Sequence, residues 1–526
     1  MAKRRREQPA ADAREIELKL CFAPDDLPLL QRADVLRQHT EGRVDTRLLR
    51  SVYFDTADLE LRRAGIALRV RQDGSANVQT VKTRQESRAG LFERGEVECE
   101  VEGDLPDLAA IPKRALRRRL EGIVAGKTLE PVVRTEFRRT RRRVRRDGTE
   151  LLCDLDIGEV VTPRGSTPIF ELELELVHGD PSALFAVAID LNESVPLRPS
   201  TLSKLGRGMA QLTGERPAAQ KARPVSVPRR VTTEGVMEAV FDRCMEQILA
   251  NEIPAHDGDD PEGIHQMRVG VRRLRSALSL FGSLLPREQL GPLAAELRWL
   301  GVELGGARDL DVFLLESFEP VFRSQSDDAA LKRLRDEANE LRTAMYERAR
   351  AAIESPRYAA LILRLGAWRA SRAWRDQPLS EESASLFAPA RRTSRELLAK
   401  RYRKARRLAS DIERRSAQEK HALRIQLKKL RYASEFLCPL YPRKKAEPFI
   451  ERLEGLQDVL GHLNDVATAE RLLAALLERL GAERSPDHDH AAGFVAGWTA
   501  REALLRNAHL AEEWKAFKNV GAFWQA

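Results

Sequence analysis

The sequence predicts an α+β protein of more than one domain, a β-rich N-terminal part followed by an all-α part that is internally duplicated. Three observations carry this reading. Between about residues 14 and 213 hydropathy alternates with period two, the period of a β-strand, in EIELKL (15–20), ALRVR (67–71), NVQTVKT (77–83), EVECEVEG (96–103), ELLCDLDIGEV (150–160) and IFELELELV (169–177). After residue 232 long Leu/Ala/Arg/Glu segments take over with helical periodicity. Within them HQMRVGVRRLR (265–275) is answered by HALRIQLKKLR (421–431), and LGGARDLDV (304–312) by LGHLNDVAT (460–468). The steps from His265 to His421 and from Asp309 to Asp465 are the same 156 residues, a register held across two separated motifs.

Taken in order, residues 1–13 read as a basic disordered arm, because MAKRRREQPAADAR has cations but no apolar run behind them. Residues 14–213 form the β-rich domain, with helical insertions near 105–125 and 181–194. GERPAAQKARPVSVPRRVT (214–232), rich in proline and basic residues, reads as a linker. Residues 233–526 form the helical domain, with repeats at about 235–373 and 390–515 separated by the break WRDQPLSEESASLFAPA (374–390). A chain of 526 residues exceeds one compact core, which agrees with this division.

Composition narrows the function classes. The formal net charge of +9 suits an anionic partner. Five scattered cysteines without CxxC spacing argue against a disulfide framework or structural zinc and for a reducing compartment. No apolar stretch has membrane-spanning length, so no membrane partner is expected and the expected location is the cytoplasm.

The charged faces of the strands bear on function. Glu15, Glu17 and Lys19 share a face, as do Arg69 and Arg71, Glu96, Glu98 and Glu100, Asp154 and Asp156, and Glu171, Glu173 and Glu175. Alternation alone fits an antiparallel sheet with its polar face in water. These faces, however, repeat one carboxylate at every second position, roughly 7 Å apart, and such rows repel unless cations sit among them. Carboxylates that can hold a hard divalent cation, facing arginine and lysine, are what a polyphosphate–metal complex needs. A closed barrel with this face turned inward would concentrate both.

ExExK at Glu15/Glu17/Lys19 resembles the signature of the CYTH domains, or triphosphate tunnel metalloenzymes. YFDTADLELRRAGIALRVR (53–71), VQTVKT (78–83), RxExE at Arg94/Glu96/Glu98, LDIGEV (155–160), ELELEL (171–176) and LSKLGRG (202–208) follow in the same order. The resemblance covers nearly all of 14–213 and implies an eight-stranded antiparallel β-tunnel that binds triphosphate with Mg2+ or Mn2+. It implies metal ligation by Glu15, Glu17, Asp156, Glu171 and Glu173, with Glu175 replacing Glu171 if the register shifts by one step. It implies a phosphate path of Lys19, Arg62, Arg69, Arg71, Lys82, Arg94 and Lys204, plus either Arg139 or Arg138. Lys19, Glu17 and Glu171 would carry the catalysis, attack of a metal-activated water on a terminal phosphorus. No histidine of this domain is well placed as a general base; His39 and His178 fall in loop or helix contexts.

In the helical part, about 100° per residue puts His265, Arg268, Arg272 and Arg275 in one stripe opposite Ile264, Met267, Val271, Leu274 and Leu278. His421, Arg424, Lys428 and Arg431 repeat the stripe. One such helix is an ordinary solvated face. Two related by a pseudo-two-fold would join six Arg/Lys and two His into one patch, with Asp309, Asp311 and Asp465 as tethers or caps. The paired HxxRxxx[RK][RK]LR with its downstream LG motif resembles the CHAD domain over about 235–515, which implies binding of inorganic polyphosphate and an association with polyphosphate granules. CYTH followed by CHAD is the arrangement of bacterial inorganic triphosphatases, so the expected partners are inorganic tripolyphosphate and polyphosphate. The competing readings are a non-catalytic polyphosphate-binding protein, an adenylate cyclase and a thiamine triphosphatase. Nucleic acid is not the expected partner, because base-stacking aromatics are not interleaved with the basic stripes.

Overall fold

The computed structural model describes residues 14–525 except 74–75, 84–85, 89 and 259; the basic arm expected at 1–13 lies outside the described residues. The described residues divide into two compact units, one of those up to Pro217 together with Glu354–Ala373, the other of those in 218–353 and from Trp374 on.

Among the described residues the sheet of the first unit has ten strands; besides the short Glu86–Arg88 and Arg198–Pro199, eight build the ring. They are β1 Arg14–Cys21, β2 Thr40–Asp55, β3 Ala67–Asp73, β4 Ala76–Lys82, β5 Leu91–Val101, β6 Glu130–Arg146, β7 Thr149–Thr162 and β8 Gly165–His178, six from the alternating segments and two, β2 and β6, from stretches outside them. All pair antiparallel, in the order β1-β8-β7-β6-β2-β3-β4-β5, and β5 pairs back onto β1 with Glu15 opposite Arg94, which closes the ring. Closure leaves one face inside. Apolar residues of the other face, Leu18, Leu20, Leu151, Cys153, Leu155, Leu172 and Leu174, are packed under helix α1 (Ser182–Asn192). With those positions turned outward, the charged positions of β1, β7 and β8 point into the tunnel. The inward charged face and the eight-stranded tunnel stand as the sequence indicated.

One end of the interior is apolar. Leu49, Tyr53, Val133, Phe137, Val160 and Ile169 form a layer with Met209 of helix α2 (Lys204–Thr213). A Cβ at Gly208 would lie 2.4 Å from Val133 Cγ1, so the helix approaches the strands this closely only with glycine there. Ser203 caps α2 by accepting from Gly206 N at 3.0 Å.

The second unit is helical, and Ile264, Met267, Val271, Leu274 and Leu278 on helix α3 (Glu262–Phe281) are buried as the periodicity requires. One helix of the C-terminal sequence, α4 (Pro356–Ser371), belongs to the first unit. Leu363 joins the cluster containing Leu184 and Phe185, and Gly366 sits so close to Phe185 that a Cβ would fall 2.2 Å from its ring. All five cysteines are free.

Candidate active site and basic cleft

Strand register sets the tunnel geometry. Lys19 lies opposite Glu173 and Glu17 opposite Glu175, while Asp156 faces Glu171 and Arg139 faces Asp156 across their ladders. Oxygens of Asp156, Glu171 and Glu173 consequently lie within 4.8 Å of one another, on residues that are 0%, 0% and 8% exposed. Three carboxylates this close and this dry require compensating charge. Lys204 Nζ provides it at 2.8 Å from Asp156, 2.5 Å from Glu171 and 3.0 Å from Glu173. Lys19 Nζ donates to Glu173 at 2.9 Å. Arg139 donates to both oxygens of Asp156 at 2.7 and 2.6 Å and to Glu173 at 2.5 Å. Burial opposes the charge of Glu173, but Lys19, Lys204 and Arg139 outweigh it and hold this carboxyl well below the usual range. Burial likewise opposes the charge of Lys204, and its three carboxylates outweigh it and raise its pKa.

The opposite wall is built the same way. Lys82 pairs with Glu15 at 3.2 Å and Glu96 at 2.9 Å, and Arg69 and Arg71 lie 3.6 Å from Glu96 and 3.7 Å from Glu98. Glu175 has weak compensation, Arg141 at 4.0 Å, and burial together with Glu15 pushes its carboxyl up to about 7. A cavity of about 140 Å³ is lined by Asp45, Arg47, Leu49, Arg71, Arg139 and Arg141.

The structure thus brings together Lys19, Asp156, Glu171, Glu173, Arg139 and Lys204, and sets Glu15 with Lys82, apart from that trio. Of the two arginines left open, Arg139 faces inward and Arg138 is exposed. Arg62 is not gathered in: its guanidinium bonds Glu215 at 3.0 Å, because its short helix sits outside the ring with its backbone N–H on Asp55. Arg94 is on β5 opposite Glu15, but its side chain lies outside the described ones. Sequence reasoning missed Arg207, one turn after Lys204, which pairs with Glu171, and Arg141, which grips Asp154 at 2.7 and 2.6 Å. The i,i+3 spacing of Lys204 and Arg207 was the available signal.

The second unit holds a cleft of about 950 Å³ between α3 and helix α5 (Ala417–Leu437). His265, Arg268, Arg272, Arg275, Arg424 and Lys428 line it, with Arg298, Arg308 and Lys429 added. Here cations face cations. Burial and then Arg272, Arg424 and Arg268 push Lys428 down to about 6, and burial with Arg308 pushes His265 down to about 4. Two expected members are elsewhere: His421 is exposed and does not line the cleft, and Arg431 is held by Glu454 at 3.1 Å and Glu435 at 3.5 Å. Glu454 belongs to a neighbouring helix and could not be read from the stripe, whereas Glu435 follows Arg431 by four residues on the same helix. Asp309 is a tether, 3.4 Å from both Arg268 and Arg471, and Asp311 accepts from Arg342 at 2.7 Å and Tyr346 at 2.8 Å.

Residues 13–209 match the model of the CYTH domain and residues 239–474 that of the CHAD domain. The chain is a CYTH domain followed by a CHAD domain. An inorganic triphosphatase of Haemophilus influenzae is 28% identical over 207 residues, 37% of this chain and 54% of that protein, so the chain spans about half the length of this relative. An uncharacterized protein of Mycobacterium tuberculosis is 26% identical over 81% of this chain and 82% of its own. The crystal structure of the CHAD domain from the plant Ricinus communis is 32% identical, covering 57% of this chain and 96% of that one, with a TM-score of 0.49. Among the described residues of this CYTH–CHAD chain no helix is long and apolar enough to cross a membrane.

Proposed function

We propose that the CYTH tunnel hydrolyses inorganic triphosphate with Mg2+ or Mn2+, and that the CHAD cleft binds inorganic polyphosphate. The observation that carries the first half is the interior trio of Asp156, Glu171 and Glu173 ringed by Lys19, Arg139 and Lys204. An all-oxygen donor set fits a hard divalent cation, and these three residues would hold it, with Glu15 and Glu17 on the neighbouring strand β1. The bound cation supplies charge neutralisation on the phosphates and a more acidic water. The chain's own cations would exchange a carboxylate for phosphate oxygens as substrate enters, Arg139 offering its fork to two oxygens at once. Glu175, pushed up to about 7 by burial and Glu15, is a tunnel carboxylate able to take a proton near neutral pH. The inorganic triphosphatase relative supports this substrate.

A second reading, a tunnel that binds without hydrolysing, is favoured by the ion pairs that already occupy its carboxylates. Phosphate release from tripolyphosphate, ATP, thiamine triphosphate and long polyphosphate, each with Mg2+ and Mn2+, separates the two. Release from tripolyphosphate that Glu171→Ala abolishes is expected. Equal inertness of wild type and variant with either metal would leave only the binding reading, and cyclic AMP formed from ATP would replace it with a cyclase.

A further inference from the structure

We propose that Glu316, His462 and Asp465 form a divalent-cation site at the edge of the CHAD cleft, and that the cation there helps to hold the polyanion. The second clause rests on the polyphosphate reading above; the first does not.

Each of the three residues offers a ligand atom within 4.8 Å of the others, with His462 Nδ1 3.8 Å from Asp465 Oδ2. Ligands bonded to one ion at about 2.0–2.2 Å lie roughly 3–4.4 Å apart, so the arrangement needs only a small contraction. His462 and Asp465 are three residues apart on the long helix α6 (Arg443–Arg479) and so share a face. Glu316 comes from a π-helical turn, Phe313–Phe318, a local widening that recurs at functional sites. One imidazole nitrogen with two carboxylate oxygens suits Mn2+ or Zn2+ better than Mg2+.

The internal repeat provides an independent comparison. Asp465 is 156 residues after Asp309, yet the two have different surroundings. Asp309 has two arginines at 3.4 Å, which suffices to explain it as a tether. Asp465 also feels Arg424, the counterpart of Arg268, but in addition it has His462 Nδ1 at 3.8 Å and the Glu316 carboxylate beside it. The position matching His462 in the first repeat is Gly306, and the one matching Glu316 in the second is Leu472, so neither copy could build this trio twice. The trio is a feature of one side of the cleft, not a by-product of the duplication.

Its place suggests its use. Asp465 also lines the cleft beside Arg268, Arg424 and Lys428. The Nε of Arg424 is buried there with no hydrogen-bond partner among the described residues. Three protein ligands leave coordination positions open, and phosphate oxygens of a chain lying in the cleft could fill them.

The test uses the full chain stripped of metal, with Mn2+ as probe. Bound Mn2+ is counted by electron paramagnetic resonance without phosphate, in wild type and in the double variant Glu316→Gln/His462→Ala, whose folding is checked by circular dichroism and melting. The tunnel contributes equally to both, so a loss of about one equivalent in the variant is expected, and equal counts would overturn the site. Long-chain polyphosphate binding is then compared with and without Mn2+. Wild type is expected to gain several-fold from the metal and the variant nothing, with equal metal-free binding. A lost Mn2+ equivalent with no difference in that gain would overturn the bridging role and leave a structural ion. Absence of polyphosphate binding by wild type under any condition would remove the polyphosphate reading while the Mn2+ count still decides the site.

Discussion

In the tunnel Lys204 has three carboxylates within 3.0 Å, whereas in the cleft Lys428 has Arg272, Arg424 and Arg268 for company. The two lysines are both largely withdrawn from water, and their pKa values move in opposite directions. A matched interior is stable as it stands and can present both signs of charge to a metal–phosphate complex. A cleft whose cations outnumber Asp309 and Asp465 is held under repulsion that an arriving anion relieves. Removing a charge should therefore have opposite consequences for folding in the two regions.

The largest effect is expected in the tunnel. Glu173→Gln leaves Lys19, Lys204 and Arg139 short of a partner, so phosphate release should fall by about a hundredfold or more. Stability should drop by roughly 3–5 kcal/mol, the usual result of breaking a buried ion pair from one side. Phosphate assays and denaturant melts check both. In the cleft, Arg424→Ala should weaken polyphosphate binding about tenfold and flatten its salt dependence, read by titration at several ionic strengths. Lys428→Met should raise stability by about 1 kcal/mol, because it removes a side chain that must give up its proton to be buried among arginines. A destabilised Lys428→Met would break the contrast between the regions.

Proton linkage sharpens the same contrast. Free Lys428 titrates near 6, so it is neutral at pH 8, and a bound polyanion would return it toward its ordinary value of 10.5. Polyphosphate binding at pH 8 should take up about one proton, measured by calorimetry in buffers of different ionisation enthalpy. For folding the sign is opposite to that of a stabilised lysine. The depressed pKa imposes no penalty above 10.5; the penalty grows as pH falls and is complete below 6. The smallest effect belongs to Arg62→Ala, which should change phosphate release less than about twofold, since its partner is Glu215 outside the ring.

The inward face was legible because strand period is strict: once Ile16, Leu18 and Leu20 are assigned to the outer core, Glu15, Glu17 and Lys19 have nowhere else to point. Arg139 could not be told from Arg138 in RTEFRRTRRRVRR (134–146), where arginines occupy both parities. Phe137 decides it, since it shares Arg139's parity and is buried in the apolar end of the tunnel. An interior that changes from apolar to charged along one strand inverts the usual expectation that the hydrophobic side faces away from the polar one. Six residues of the helical stripe line the cleft, while Arg431 is drawn off by Glu454 of a neighbouring helix and by Glu435, four residues on in its own helix, which the sequence did contain. Assignment of α4 to the first unit was invisible, its helical periodicity being like that of the segments around it.

That helix has a topological consequence. The chain crosses from one unit to the other after Pro217, again after Ile353 and again after Ala373. A protease that nicks the proline-rich segment at 214–232 would sever one of three covalent crossings, so the CYTH fragment should stay attached through the seating of Leu363 and Gly366 against Leu184 and Phe185. Expressing residues 1–217 alone would uncover those same side chains. The motif boundary therefore marks where one family's sequence ends, and not where the polypeptide can be cut.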